Sequence, residues 1–355
     1  MRKSAKKNII YSILLLLVVF MVYLYRQNQN APAIEESDDQ KLVLTGPTMG
    51  TSYRVVYLDP GRRDLQEEID SLLVDINQSL STYIPDSELS RFNRNDSLEF
   101  ESPYLYPVLA ASGQVYEATS GAFDPTIGPL VNVWGFGPEG ASLKDSVEVR
   151  QLLERVGFDQ LLFDQSGIKK SNPDSYLDLS AIAKGYGVDL VGKFLESRGI
   201  HNYLVEIGGE LVSRGVNENG ELWKVGVTRP TEEGLANDLY SIIALDNKGM
   251  ATSGNYRNFY IKDTVKYSHT ISPFTGYPVE HRLLSATVLA ADCMTADAFA
   301  TAFMVLGLER AKEIQESEEG LEIFLIFNDE QGQVQSYVSK GLVPFLTTVQ
   351  EEESK

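Results

Sequence analysis

The chain holds one cysteine, Cys293, and three histidines, His201, His269 and His281, among 355 residues. A disulfide framework needs a second thiol, and a Cys/His zinc centre cannot be assembled from so few ligands, so both are excluded. Cys293 is expected to be a small buried hydrophobe. Clustered positive charge is also missing. The formal net charge is −19, and outside the extreme N-terminus Lys and Arg are scattered, whereas a phosphate backbone demands them on one face. No nucleic-acid partner is expected. There is no internal repeat, and the longest apolar run without charge is residues 9–25.

That run follows Arg2, Lys3, Lys6 and Lys7. Its length is close to a minimal membrane span and exceeds the usual core of a cleaved signal, and positive residues stay on the cytoplasmic side. The expected organisation is a basic cytoplasmic segment (1–8), a transmembrane signal anchor (9–25), a flexible linker (26–40), one large domain (41–348) outside the cytoplasmic membrane, and a disordered tail (349–355). Ala31-Pro32-Ala33 leaves cleavage open.

With 43% apolar residues and aromatics throughout, the chain is long enough to bury a large core. Val43 to Leu58 reads as two strands around a turn that contains Met49. Leu65, Ile69, Leu72, Leu73, Ile76 and Leu80 keep helical spacing, a second helix is expected from Tyr104 to Thr119, and a third after Ser146. Strands are expected over Leu161–Phe163, Tyr203–Ile207, Leu211–Gly215, Trp223–Val227, Tyr240–Leu245, Tyr256–Ile261 and Glu322–Phe327. The fold class is therefore α+β, with mixed, largely antiparallel sheets flanked by helices.

Two segments carry chemistry. Asp178 to Asp189 reads as a strand end turning through small residues into a helix with Lys184 in its first turns, an arrangement that suits an anion. By itself it reads more readily as a Ser-capped helix with a surface lysine. Ala291 to Thr301 leads from a strand into an apolar helix that Asp292 or Thr295 could cap. Asp297 and Thr301, four apart, then share one helix face. One carboxylate, one neutral oxygen and a substrate phosphate commonly hold Mg²⁺, although such a pair can also simply hydrogen-bond within its helix.

Further patches combine aromatic, hydroxyl and turn residues: Ser81-Thr82-Tyr83 with Ser90-Arg91-Phe92-Asn93, and Gly121-Ala122-Phe123-Asp124-Pro125. Glu206-Ile207-Gly208-Gly209-Glu210 is a tight hairpin or bulge that would also let a ligand approach the backbone. Ala251-Thr252-Ser253-Gly254 precedes His269-Thr270-Ile271, where His269 sits among hydroxyls and turn formers and is the best histidine candidate.

Together with the Thr48-Met49-Gly50-Thr51 turn, these patches make the chain resemble the ApbE family of FAD:protein FMN transferases over roughly residues 44–346. The resemblance implies an enzyme that splits FAD, transfers FMN through its phosphate to a Thr or Ser of an acceptor protein, and releases AMP. It implies an FAD site lined by Met49, Tyr83, Ala122, Phe123, Asp124, Asp178, Lys184 and Ile271. It also implies Mg²⁺ held by the main-chain carbonyl of Ala181 and the side chains of Asp297 and Thr301. Within that chemistry Lys184 and the metal held by Asp297 neutralise charge, and His269 is the candidate to accept the acceptor's hydroxyl proton or to hydrogen-bond the flavin or a phosphate. Acceptors would be membrane redox subunits or extracytoplasmic reductases with a small-residue-rich Thr/Ser segment.

Many members of the family are anchored by a lipidated cysteine, which this N-terminus lacks, so the apolar helix itself is the expected tether in a bacterial inner membrane, with a periplasmic catalytic domain. Two alternatives remain: a Mg²⁺-dependent FAD pyrophosphatase that uses water in place of the acceptor, and a non-catalytic membrane-tethered flavin carrier, for which Asp297, Thr301 and Lys184 would be dispensable.

Overall fold

A computed structural model describes residues 40–137, 146–230, 239–255, 259–262, 265–268 and 270–348. Along the chain its elements are β1 (Lys41–Thr48), β2 (Thr51–Leu58), α1 (Gln66–Leu80), α2 (Glu88–Arg94), β3 (Ser97–Glu99), α3 (Leu105–Ala118), α4 (Gly128–Trp134), α5 (Ser146–Leu153), β4 (Leu161–Asp164) and β5 (Gly167–Lys170). There follow α6 (Ala183–Ser197), β6 (Tyr203–Ile207), β7 (Glu210–Arg214), β8 (Trp223–Thr228), β9 (Leu239–Leu245), β10 (Gly249–Gly254), β11 (Phe259–Lys262), β12 (Val265–Ser268) and β13 (Leu283–Ala290). The chain ends with α7 (Cys293–Leu306), α8 (Leu308–Ser317), β14 (Glu322–Asn328), β15 (Val334–Val338) and β16 (Leu346–Thr348).

The frame is an eight-stranded sheet in the order β1-β2-β6-β7-β10-β13-β14-β15. Every neighbouring pair in it is antiparallel. Its middle strands are buried on both faces, and the period of two assigns each residue to a side. Val212, Ala251, Val288, Ile323 and Leu325 join the large core with α1, α3, α6 and α7. Leu211, Met250, Leu289, Phe324 and Ile326 face the other way, onto Val227, Ile243 and Leu245 of a small sheet ordered β16-β9-β8. This two-sided burial explains why β13 and β14 read as near-continuous apolar runs. Phe303 and Phe324 are essentially inaccessible, and each such side chain contributes roughly 2–3 kcal/mol by burial.

The α+β expectation and the antiparallel sheets agree with this architecture. The apolar run at 9–25 and the tail at 349–355 lie outside the described residues, and among the described residues no helix is long and apolar enough to cross a membrane. Of the strand expected over 256–261, residues 259–262 form β11, and 256–258 lie outside the description. The strand expected ahead of α6 is absent. Residues 175–179 form no ladder, because their backbone is held by other groups: Leu177 N–H donates to Asn93 Oδ1 at 2.8 Å and Asp178 N–H to the carbonyl of Pro125 at 2.7 Å.

Candidate active site

Two helix starts meet beside a hairpin turn, and the site is built there. Residue 185 of α6 is glycine because α7 crosses against it: a Cβ at Gly185 would lie 2.4 Å from the carbonyl oxygen of Cys293 and 2.9 Å from the Cβ of Asp297. Asp189, one turn further along α6, accepts the N–H groups of Cys293 and Met294, each at 2.8 Å. Asp292 caps α7 by accepting from Thr295 N–H at 2.8 Å, which selects one of the two caps the sequence allowed. Three carboxylates thus surround the start of α7. The third, Asp297, accepts the Gly185 N–H through Oδ2 at 3.0 Å.

The last contact changes the expected role of the α6 start. One amide of its first turn is already taken by Asp297. Lys184 is likewise engaged: Nζ lies 3.3 Å from Glu210 Oε1 and 3.4 Å from the Ser180 carbonyl. Burial alone would push its pKa down, but the Asp297 and Glu210 carboxylates outweigh that and raise it above the usual lysine range.

These groups open onto a cavity of about 590 Å³. It is lined by Ala122 to Pro125, by Asp178, Ser180, Ala181 and Lys184, by the β6–β7 turn and Glu210, by Val225 to Thr228 of β8, and by Thr252, Ser253, Asp297 and Thr301. The turn glycines have φ of +60° at Gly208 and +102° at Gly209, so the Glu206 to Glu210 segment is the tight hairpin that its sequence suggested, and both glycines line the cavity. Thr301 Oγ1 lies 3.3 Å from Ser253 Oγ.

Of the sequence-predicted residues, Ala122, Phe123, Asp124, Asp178, Ala181, Lys184, Ile271, Asp297 and Thr301 share this cavity. Met49 and Tyr83 are not on its wall. Met49 holds a left-handed φ of +47° at the β1–β2 turn and packs beside Gly187 of α6. Tyr83 is 66% exposed, and its phenol is pushed up by partial desolvation and by the nearby Asp178 carboxylate. His269 lies outside the described residues. His281 contacts the Met304 carbonyl through Nε2 at 2.8 Å, a structural role, and Cys293 is a fully buried free thiol as expected.

The cavity is acidic. Its described lining residues include the carboxylates of Asp124, Asp178, Glu206, Glu210 and Asp297 against the single ammonium of Lys184. Burial raises Asp124 to about 6, although Thr126 donates to its Oδ1 from N–H at 2.8 Å and from Oγ1 at 2.6 Å. Burial raises Glu210 to about 8 against the pull of Lys184, and Asp297 is also raised by burial. Glu210 Oε2 is buried without a hydrogen-bond partner. A buried carboxylate pair with an orphaned oxygen and a nearby hydroxyl fits a hard divalent cation.

Sequence reasoning quoted Glu210 and Asp189 without assigning them a function. The signal for Glu210 was its parity: it shares the strand face of Val212, which enters the main core, so a carboxylate there must meet a partner. Asp189 has the weaker signal of a carboxylate on the helix face of Gly185, Tyr186 and Gly192, all of them buried.

Residues 49–325 match the ApbE family. The chain belongs to that family. It is 40% identical over 322 residues to the FAD:protein FMN transferase of Vibrio cholerae, spanning 88% of this chain and 95% of that one. To the Haemophilus influenzae FAD:protein FMN transferase it is 41% identical over 313 residues, 84% of this chain and 89% of that one. The solved structure of the Vibrio cholerae flavin transferase ApbE superposes with a TM-score of 0.76 at 39% identity, covering 86% of this chain and 99% of the other. The ApbE family match includes every cavity residue named above.

Proposed function

We propose that this chain is an FAD:protein FMN transferase. The observation that carries the reading is the convergence of Lys184 from α6 with Asp297 and Thr301 from α7 on one cavity, in a chain about 40% identical to enzymes of that name. FAD has a pyrophosphate to be gripped and an aromatic ring system at each end, and the cavity joins charged groups to Phe123 and Ile271.

In the reaction the hydroxyl oxygen of an acceptor Thr or Ser attacks the phosphorus on the FMN side. The bond from that phosphorus to the bridging oxygen breaks, AMP leaves with that oxygen, and the hydroxyl proton passes to a base, for which His269 is the candidate. Such transfer depends mainly on positioning and charge neutralisation. Lys184 contributes a fixed cation toward the departing AMP. Asp297, Thr301 and the Ala181 carbonyl would hold Mg²⁺, which supplies the positive charge that an anionic pyrophosphate needs among so many carboxylates. Gly208 and Gly209 leave room for substrate to reach the backbone, and Asp189 holds the start of α7 so that Asp297 and Thr301 keep their register.

The basic segment before residues 9–25 supports an extracytoplasmic, membrane-tethered enzyme; protease accessibility in spheroplasts checks that orientation.

The deciding experiment incubates the full-length chain with FAD, Mg²⁺ and a candidate acceptor domain, then measures the intact mass of the acceptor and the nucleotide products. An FMN phosphoester adduct with one AMP released per adduct is expected, and Asp297→Ala should lower its rate at least about a hundredfold, the scale on which metal-site changes act. FMN and AMP without adduct would instead support the pyrophosphatase, and intact FAD under all divalent cations would leave the carrier.

A further inference from the structure

The two oxygens of Glu210 meet different surroundings. Glu210 opens β7 directly after the Gly208–Gly209 turn, is 6% exposed, and lines the same cavity as Lys184, Asp297 and Thr301. Oε1 is 3.3 Å from Lys184 Nζ. Oε2 is buried and accepts no hydrogen bond. Such an oxygen bears its full desolvation penalty, and buried carboxylate oxygens with no donor are rare in folded proteins.

Among the described lining residues Lys184 is the one basic side chain. Asp297 is 2% exposed, and it acts with Glu210 on the one ammonium between them. With both carboxylates ionised, one lysine leaves a negative surplus, which either a proton on one of them or a bound cation relieves. A hard divalent ion is suited to the remaining oxygen, since it takes carboxylate oxygens directly or through its retained water shell.

We infer that Glu210 is a further protein group of the divalent-cation site, with Oε1 holding Lys184 and Oε2 reserved for the cation or for a water in its shell. This rests on the reading above in which Asp297 and Thr301 hold the ion. It gives one side chain two tasks: it fixes the lysine at the substrate phosphate and draws the cation to the same place, so the two positive groups stay apart yet share one carboxylate.

The test uses the full-length chain without FAD and Mn²⁺ alone as probe, with free Mn²⁺ followed by its paramagnetic resonance signal. Glu210→Gln is nearly isosteric and keeps an acceptor for Lys184, yet should weaken Mn²⁺ binding about ten- to a hundredfold, the range for groups supporting a metal site. Lys184→Met should bind Mn²⁺ at least as tightly as wild type, because it removes a like charge. Wild-type affinity in Glu210→Gln, with Asp297→Ala still abolishing binding, would overturn the inference and leave the cation site standing. Wild-type affinity in both variants would remove the cation site itself. Should Glu210→Gln fail to melt cooperatively, Glu210→Asp serves in its place: its retracted oxygens should weaken Mn²⁺ several-fold, and unchanged affinity would equally overturn the role.

Discussion

At Gly185 the absence of a side chain sets the distance between two helices and thereby the depth of the site. A methyl group there would press on the Cys293 carbonyl and on Asp297 Cβ, and neither can move without shifting the start of α7. Overpacking of this kind costs about 1–3 kcal/mol. Gly185→Ala should therefore lower the melting temperature and, because Asp297 is among the displaced atoms, reduce FMN transfer more than the loss of stability explains. Steady-state rates below the melting range, compared with the melt itself, separate the two effects. Lys184 and Asp297 were legible as residues because their types and their positions near helix starts suit phosphate and cation. Their electrostatic coupling was not legible, since they are 113 positions apart and the crossing of α6 and α7 brings them together.

The start of α7 is the element on which the site depends, and it is held by a carboxylate from another helix. Burial raises Asp189 to about 7 despite its two N–H donors. The folded value therefore lies above the ordinary carboxylate value that the unfolded chain keeps. Between about pH 4 and pH 7 the folded state holds more protons than the unfolded one, so stability falls as pH rises through that window. Asp124, raised to about 6, and Glu210, raised to about 8, act in the same direction. The metal-free chain is expected to be more stable to urea at pH 5.5 than at pH 8, and Asp189→Asn should shrink that difference. Urea melts at the two pH values check both statements. Strands such as Tyr203–Ile207 and the helix after Leu65 were readable from periodicity alone. The short helix α2 was not: Glu88–Arg94 has only seven residues, too few to show a period, and it stands because Ser87 caps it through Ser90 N–H and Leu89 and Phe92 are buried.

For the whole molecule, charge is the governing quantity. A chain of formal charge −19 with an acidic cavity repels an anionic dinucleotide, and the repulsion is strongest where solvent is excluded. FAD affinity should fall at least tenfold when divalent cations are removed with EDTA, and return on adding Mg²⁺; quenching of flavin fluorescence measures it. Mg²⁺ and FAD together should also stabilise the fold by mass action, about 2.7 kcal/mol at a ligand concentration of one hundred times Kd. An unchanged melting temperature at saturating Mg²⁺ and FAD would contradict the assignment of the cavity as their site.

By itself the sequence determined the class of fold, the strands and helices with clear periods, the exclusion of an internal disulfide, and many of the residues that line the cavity. These follow from local pattern and composition, which need no partner in space. The tertiary structure alone decided which of those residues meet. It joined Lys184 to Glu210 and Asp297, took one helix-start amide out of service, left Glu210 Oε2 without a donor, and put Tyr83 and Met49 off the cavity wall. Each of those outcomes depends on how α6, α7 and the β6–β7 turn pack, a set of long-range contacts that no local window of sequence contains.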